Sequence, residues 1–125
     1  MKIQVEIGIK EIESLLCSAL EGGSNYWYQI EKSTAPIAYL QRTSPGTVFP
    51  HIDYPLNPGG YLIISSAEEP ERAHARLDLV AVERGLTLMA EKNPHSFAAI
   101  LSEDADSLTG DIFLQLCLYG EVLYG

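Results

Sequence analysis

Residues 21 to 30, EGGSNYWYQI, set two glycines, a serine and an asparagine ahead of three consecutive aromatics. The segment before them has helical period. Ile9, Ile12, Leu15, Leu16, Ala19 and Leu20 recur at three- and four-residue steps and form one apolar stripe. Such a helix has to stop at Gly22 or Gly23, because glycine takes the positive φ of a helix C-terminal cap without a side-chain clash. The aromatics that follow suit a pleated surface, so a strand is expected over 25 to 31. Alternation would put Tyr26, Tyr28 and Ile30 on one face and Trp27 and Gln29 on the other. The chain is therefore committed to a helix, a tight reversal and a strand within its first 31 residues.

The remaining elements follow from the same two periods. KIQVEI, residues 2 to 7, alternates as a half-buried strand does. Residues 33 to 60 show no regular period and hold five of the seven prolines, which reads as a long Pro/Gly-rich irregular excursion. GYLIISSA, residues 60 to 67, has the continuous apolar character of a buried strand. RAHARL, residues 72 to 77, alternates Ala73, Ala75 and Leu77 against Arg72, His74 and Arg76, so the two segments predict a hairpin. Asp78 is placed to cap a helix with the stripe Leu79, Val82, Leu86 and Met89, ending before Asn93-Pro94. A short helix is expected over HSFAAILSE and a last one from about Asp106 to Leu118. Asp104, Asp106 and Asp111 lie near its start, where negative charge favours the helix dipole. The predicted fold is α+β: a small antiparallel sheet of about four strands (2–7, 25–31, 60–66 and 72–77) packed against three or four helices in a single domain, 1–125.

Composition bounds the function. A net charge of −9 argues against binding a nucleic-acid backbone, which requires a basic face. Residues 63 to 125 carry most of the acid, eleven Asp/Glu against four Lys/Arg. Cys17 and Cys117 sit in apolar helical patterns with no metal spacing around them, so both are expected as buried free thiols in a reducing cytoplasm. No apolar run has membrane-spanning length, and the N-terminus does not read as a signal peptide. The three histidines are scattered and none forms a helical metal pair. Nothing assembles a serine-nucleophile motif. The sequence gives no catalytic residue, metal or cofactor, and a non-enzymatic binding protein is the expected class.

Two segments carry binding chemistry. In GGSNYWY, the backbone at Gly22, Gly23, Ser24 and Asn25 could approach a ligand while Tyr26 or Trp27 stacks on a flat ring; packing in the core is the competing reading. In RAHAR, a strand face of Arg72, His74 and Arg76 could neutralise a phosphate, against the alternative of a solvated edge strand.

ALEGGSNYWY (19–28), HARLDLVAVERGL (74–86) and DADSLTGDIFLQLCLYGEVLYG (104–125) together resemble a widespread group of small bacteriophage-encoded proteins. Their shared marks are ALEGG followed by NYW, a polar strand leading into a helix, an Asp-rich start to the last helix and a GEVxYG end. The resemblance covers both ends of the chain and leaves 33 to 66 unsupported. It implies a phage accessory protein acting against host defence in the host cytoplasm. Two routes are open for such a protein. It could sequester a nucleotide-derived immune signal such as a cyclic dinucleotide or a cyclic ADP-ribose isomer. Alternatively, it could act as an acidic inhibitor on the basic nucleic-acid-binding surface of a host protein. The first route needs the arginine strand to face the aromatics. Homo-oligomerisation is open on either.

Overall fold

The computed structural model describes residues 6–40, 51–69, 71 and 74–125. Helix α1 (Ile9–Ser18) buries Ile12, Leu15 and Leu16, the stripe its spacing predicts. It does not end in a glycine cap. A π-helical turn, Ala19–Gly23, follows directly and is closed by Ser24 N–H donating to the Ala19 carbonyl at 2.9 Å. Neither Gly22 nor Gly23 has positive φ. Gly23 is instead a close approach: a Cβ there would lie 2.0 Å from the Ser107 carbonyl oxygen.

Residues 25 to 27 continue in turns, and strand β1 spans Tyr28–Thr34, three residues later than the aromatic composition suggests. It pairs antiparallel with β2 (Tyr61–Ser66), with an irregularity between Ile30 and Lys32. β2 pairs antiparallel with β3 (Ala75–Leu77), Leu62 opposite Leu77 and Ile64 opposite Ala75. The sheet order is β1-β2-β3, three strands among the described residues. Residues 2 to 5 of the expected first strand lie outside the described residues, and Glu6 and Ile7 belong to no strand. The third strand is shorter than expected, and Arg72 and Ala73 of its predicted span also lie outside the description.

Of the excursion at 33 to 60, residues 41 to 50 lie outside the described residues, and 33–40 and 51–60 hold regular elements. β1 runs into it, a one-turn helix α2 (Ile37–Leu40) follows, and His51–Leu56 forms a 3₁₀ segment. Its two described ends meet where Ile37 N–H donates to the Pro58 carbonyl at 3.1 Å. Gly60 fits there only without a side chain, since its Cβ would lie 2.1 Å from the Tyr54 carbonyl oxygen.

Asp78 caps α3 (Leu79–Lys92), its carboxylate accepting from Ala81 N–H. Pro94 opens α4 (Pro94–Leu101), where its missing N–H costs nothing. Asp106 caps α5 (Ser107–Tyr119) through Thr109 N–H, and Gly120, at φ 74°, ends it in the left-handed region. Helix α5 is the centre of the molecule. It buries Phe113, Leu114, Leu116 and Cys117, and α1, the π turn, α3 and α4 all pack on it. Leu62 and Ile64 of β2 and Leu77 of β3 complete the core. Cys117 is buried, and its thiol is pushed well above the ordinary range by burial. Cys17 departs from expectation: it is half-buried, and its thiol donates to Glu21 at 3.1 Å, the main cause of its raised pKa. No helix of the described residues is long and apolar enough to cross a membrane.

The α3–α5 contact is tested by Gly85→Ala. Helix propensity alone favours alanine by about 1 kcal/mol. The added Cβ, however, would lie 2.2 Å from Cys117 Sγ and 3.0 Å from its Cα. Overpacking of this kind costs roughly 1–3 kcal/mol. The expected result is a lower thermal midpoint; a raised one would show that α3 and α5 are not packed this closely.

Candidate functional site

Asp111 is 4% exposed, and four donors converge on its side chain. Oδ1 accepts from Ser24 Oγ at 2.7 Å, Trp27 Nε1 at 2.8 Å and Gln115 Nε2 at 3.1 Å; Oδ2 accepts from Tyr26 OH at 2.7 Å. An ionised carboxylate is acceptor-only with two oxygens, so this set satisfies it without a counter-cation. Asp111 therefore does not act as an exposed helix-dipole charge. It is the anchor for the turn that follows α1.

Gln115, one helical turn on, extends the network. Its Nε2 also donates to the Tyr124 carbonyl at 3.1 Å, while its Oε1 accepts from Leu123 N–H and Tyr124 N–H, both at 2.8 Å. All the hydrogen-bonding capacity of this buried amide is used, and the C-terminal segment is held against α5. Tyr124 then stacks on Trp27 with ring centroids 5.0 Å apart and planes 19° apart, and its hydroxyl donates to Glu69 at 3.1 Å. Tyr28 and Tyr119 pack edge-on or tilted against the same indole at 6.1 and 5.8 Å.

The segments GGSNYWY and GEVLYG thus meet in space. Gly23, Tyr26, Val122, Tyr124 and Gly125 join Asp111, Leu108 and Ile112 around a cavity of about 390 Å³. Within it, Tyr26 is half exposed and is the aromatic available to a ligand. Trp27, expected as a possible stacking platform, is fully buried in the core. Ser24 is buried on Asp111, while Gly22 and Asn25 are exposed. Burial, and then the bond to Asp111, push the Tyr26 phenol up to about 12.

The arginine strand faces elsewhere. His74 and Arg76 line a second groove of about 600 Å³ together with Asp78, Arg84 and Tyr119. Arg76 Nε contacts Asp78 at 3.0 Å and its guanidinium lies 3.9 Å from the centre of the Tyr61 ring. Arg84, on α3, donates to the Cys117 carbonyl. Arg84 and Tyr119 carry no local sequence signal as groove residues: Arg84 is eight positions beyond Arg76 on a different element, and only the turn at Asp78 brings them together. Arg72 lies outside the described residues. The aromatic and arginine segments therefore line separate cavities rather than one composite site. Among the described residues no group of three or more His, Cys, Asp or Glu is arranged to hold a metal ion.

The chain matches no family model, no curated protein and no solved structure.

Two outcomes test the network. Asp111→Leu strands the Trp27 and Gln115 donors in the interior, where each orphaned group costs about 1–3 kcal/mol, and should lower stability by roughly 3–5 kcal/mol in denaturant unfolding. Asp111→Asn keeps Oδ1 as an acceptor and lets the Tyr26 hydroxyl turn to accept from the new amide, so its loss should be about 1 kcal/mol. Equal losses for the two variants would refute the assignment. Alkaline titration of phenolate absorbance gives the second test. Tyr26→Phe should remove a transition near 12 rather than one near the ordinary value of 10. Because the folded pKa is raised, the stabilisation from this phenol is complete below pH 10 and is lost as pH rises between about 10 and 12.

Proposed function

We propose that this protein binds and sequesters a phosphate-bearing, nucleotide-derived small molecule, as a phage accessory protein directed against a host immune signal would. The observation that carries the reading is local charge. In a chain of net charge −9, two of the five described Lys/Arg residues, Arg76 and Arg84, converge with His74 on one groove. A concave site with a few placed cationic groups is what an anionic small molecule requires, and the surrounding negative field makes that local reversal of sign informative.

The arginines are held for the task. Asp78 and Tyr61 fix the orientation of Arg76 through Nε and the guanidinium face, and among the described residues its terminal nitrogens make no hydrogen bond. A planar guanidinium so oriented suits the paired oxygens of a phosphate. Tyr119 contributes an aromatic wall, seated against Trp27. The aromatic that this route requires beside the arginines is then not Tyr26 or Trp27, which lie away from the groove, but Tyr119: Trp27 buttresses the site from behind, and stacking on the ligand falls to Tyr119.

The purified protein is incubated with lysate from defence-activated cells, recovered and heat-denatured, and the released small molecules are identified by mass spectrometry. A phosphorylated compound is expected. Its affinity should fall roughly tenfold for Arg76→Ala, the cost of one charge-assisted contact, with little change in thermal midpoint because Arg76 is exposed. Release of no phosphorylated compound, or unchanged binding in both Arg76→Ala and His74→Ala, would overturn the proposal.

A further inference from the structure

We infer that the cavity around Tyr26 and Leu108 is a docking surface for a protein segment that interleaves lysine or arginine with apolar side chains. The inference rests on a different part of the molecule from the basic groove. Three large apolar residues from three separate parts of the chain are left exposed around this cavity: Tyr26 at 48%, Leu108 at 64% and Val122 at 45%. Each comes from an element whose neighbours are firmly placed, the turn anchored on Asp111, the capped start of α5 and the tail clamped by Gln115. A rigid, preorganised apolar rim loses little entropy on binding.

Charge selects the occupant. Glu121 is exposed beside Val122, and Glu68, also exposed, adds negative charge on the Tyr26 side, whereas Asp111 at the cavity wall is already taken up by its four donors. Leu108 also borders a second hollow of about 440 Å³ whose titratable lining is Asp104, Asp106 and His95, which continues the surface along the start of α5. The whole stretch from Leu101 to Leu108 is exposed and carries Glu103, Asp104 and Asp106 between its leucines. Apolar contacts beside carboxylates over two adjoining hollows fit a segment of matching alternation better than a small amine, which would fill one hollow and leave Leu108 and Val122 bare. Neither a nucleic acid nor an acidic segment meets this charge pattern. A second copy of the chain would bring the same net negative charge to the surface.

The experiment selects a displayed library of random 16-residue peptides on the intact protein at low salt. Enriched peptides are then measured by fluorescence polarisation against the parent and against Leu108→Asp, Val122→Asp and Ile37→Asp, the last an exposed apolar residue outside both hollows. Enrichment of sequences with Lys/Arg among apolar residues is expected, with binding weakened at least tenfold by Leu108→Asp and Val122→Asp, unaffected by Ile37→Asp and reduced by raised salt. The inference is overturned by no enrichment, by enrichment of acidic or uncharged peptides, or by binding indifferent to Leu108 and Val122. It is equally overturned if sedimentation shows a dimer that Leu108→Asp dissociates, because the occupant is then a second copy.

Discussion

The buried carboxylate of Asp111 is the constraint on which the arrangement of this molecule depends. A charge withdrawn from water is tolerated only when nearly all its acceptor capacity is used, and three of its four donors come from the turn after α1, 84 to 87 residues away. That requirement explains the local irregularities. The π turn carries the chain past the helix end to bring Ser24, Tyr26 and Trp27 over α5. Gly23 has to be a glycine because the approach that delivers those donors brings its backbone against Ser107. With Trp27 fixed by its N–H, Tyr124 has a surface to stack on, and Gln115 ties the backbone of that tail to the same carboxylate.

Elements governed by local chemistry were legible in the sequence. The stripe of α1, the Val82 and Met89 positions of the α3 stripe, the cap at Asp78, the buried strand β2 and its hairpin with β3 all depend on neighbours within a few residues, whereas α5 is buried almost all round and shows no one-sided stripe. Asp111 was not legible. A third aspartate near a helix start has the same local explanation as the two before it, and the donors that change its role are invisible to periodicity. The start of β1 was not legible for a related reason. Aromatic composition gave a strand from residue 25, but the demands of Asp111 hold 25 to 27 in turns and shift the strand start to Tyr28. The glycine pair was correctly a stopping point and incorrectly a left-handed cap; that cap is at Gly120. In the candidate site, His74 and Arg76 were found by alternation, while Arg84 and Tyr119 depend on tertiary packing.

Charge is distributed on the surface in opposite senses. The basic groove exists because one residue does two things: Asp78 caps α3 and engages Arg76, so the helix that supplies Arg84 starts immediately beside the strand that supplies His74 and Arg76. The acidic, apolar surface exists because Asp106 caps α5 while the residues before it, 101 to 105, are all exposed, so the carboxylates at the helix entrance stay in solvent beside Leu108. In both places the capping of a helix start decides which charges are presented, and the net charge of the chain describes neither surface.

The two surfaces share one interior layer. Tyr119 walls the basic groove and packs 5.8 Å from Trp27; Trp27 donates to the same carboxylate that holds Tyr26 at the edge of the acidic cavity. Close-packed rings do not deform gradually, so a ligand that displaces Tyr119 acts on the seat of Trp27 and, through Asp111, on Tyr26. Any resulting coupling has to be reciprocal, a partner that shifts Tyr26 altering affinity at the groove by the same factor. Its size is set by how far the Asp111 network yields. A carboxylate held by four hydrogen bonds yields little, so the physical expectation is two nearly independent surfaces on one stiff support.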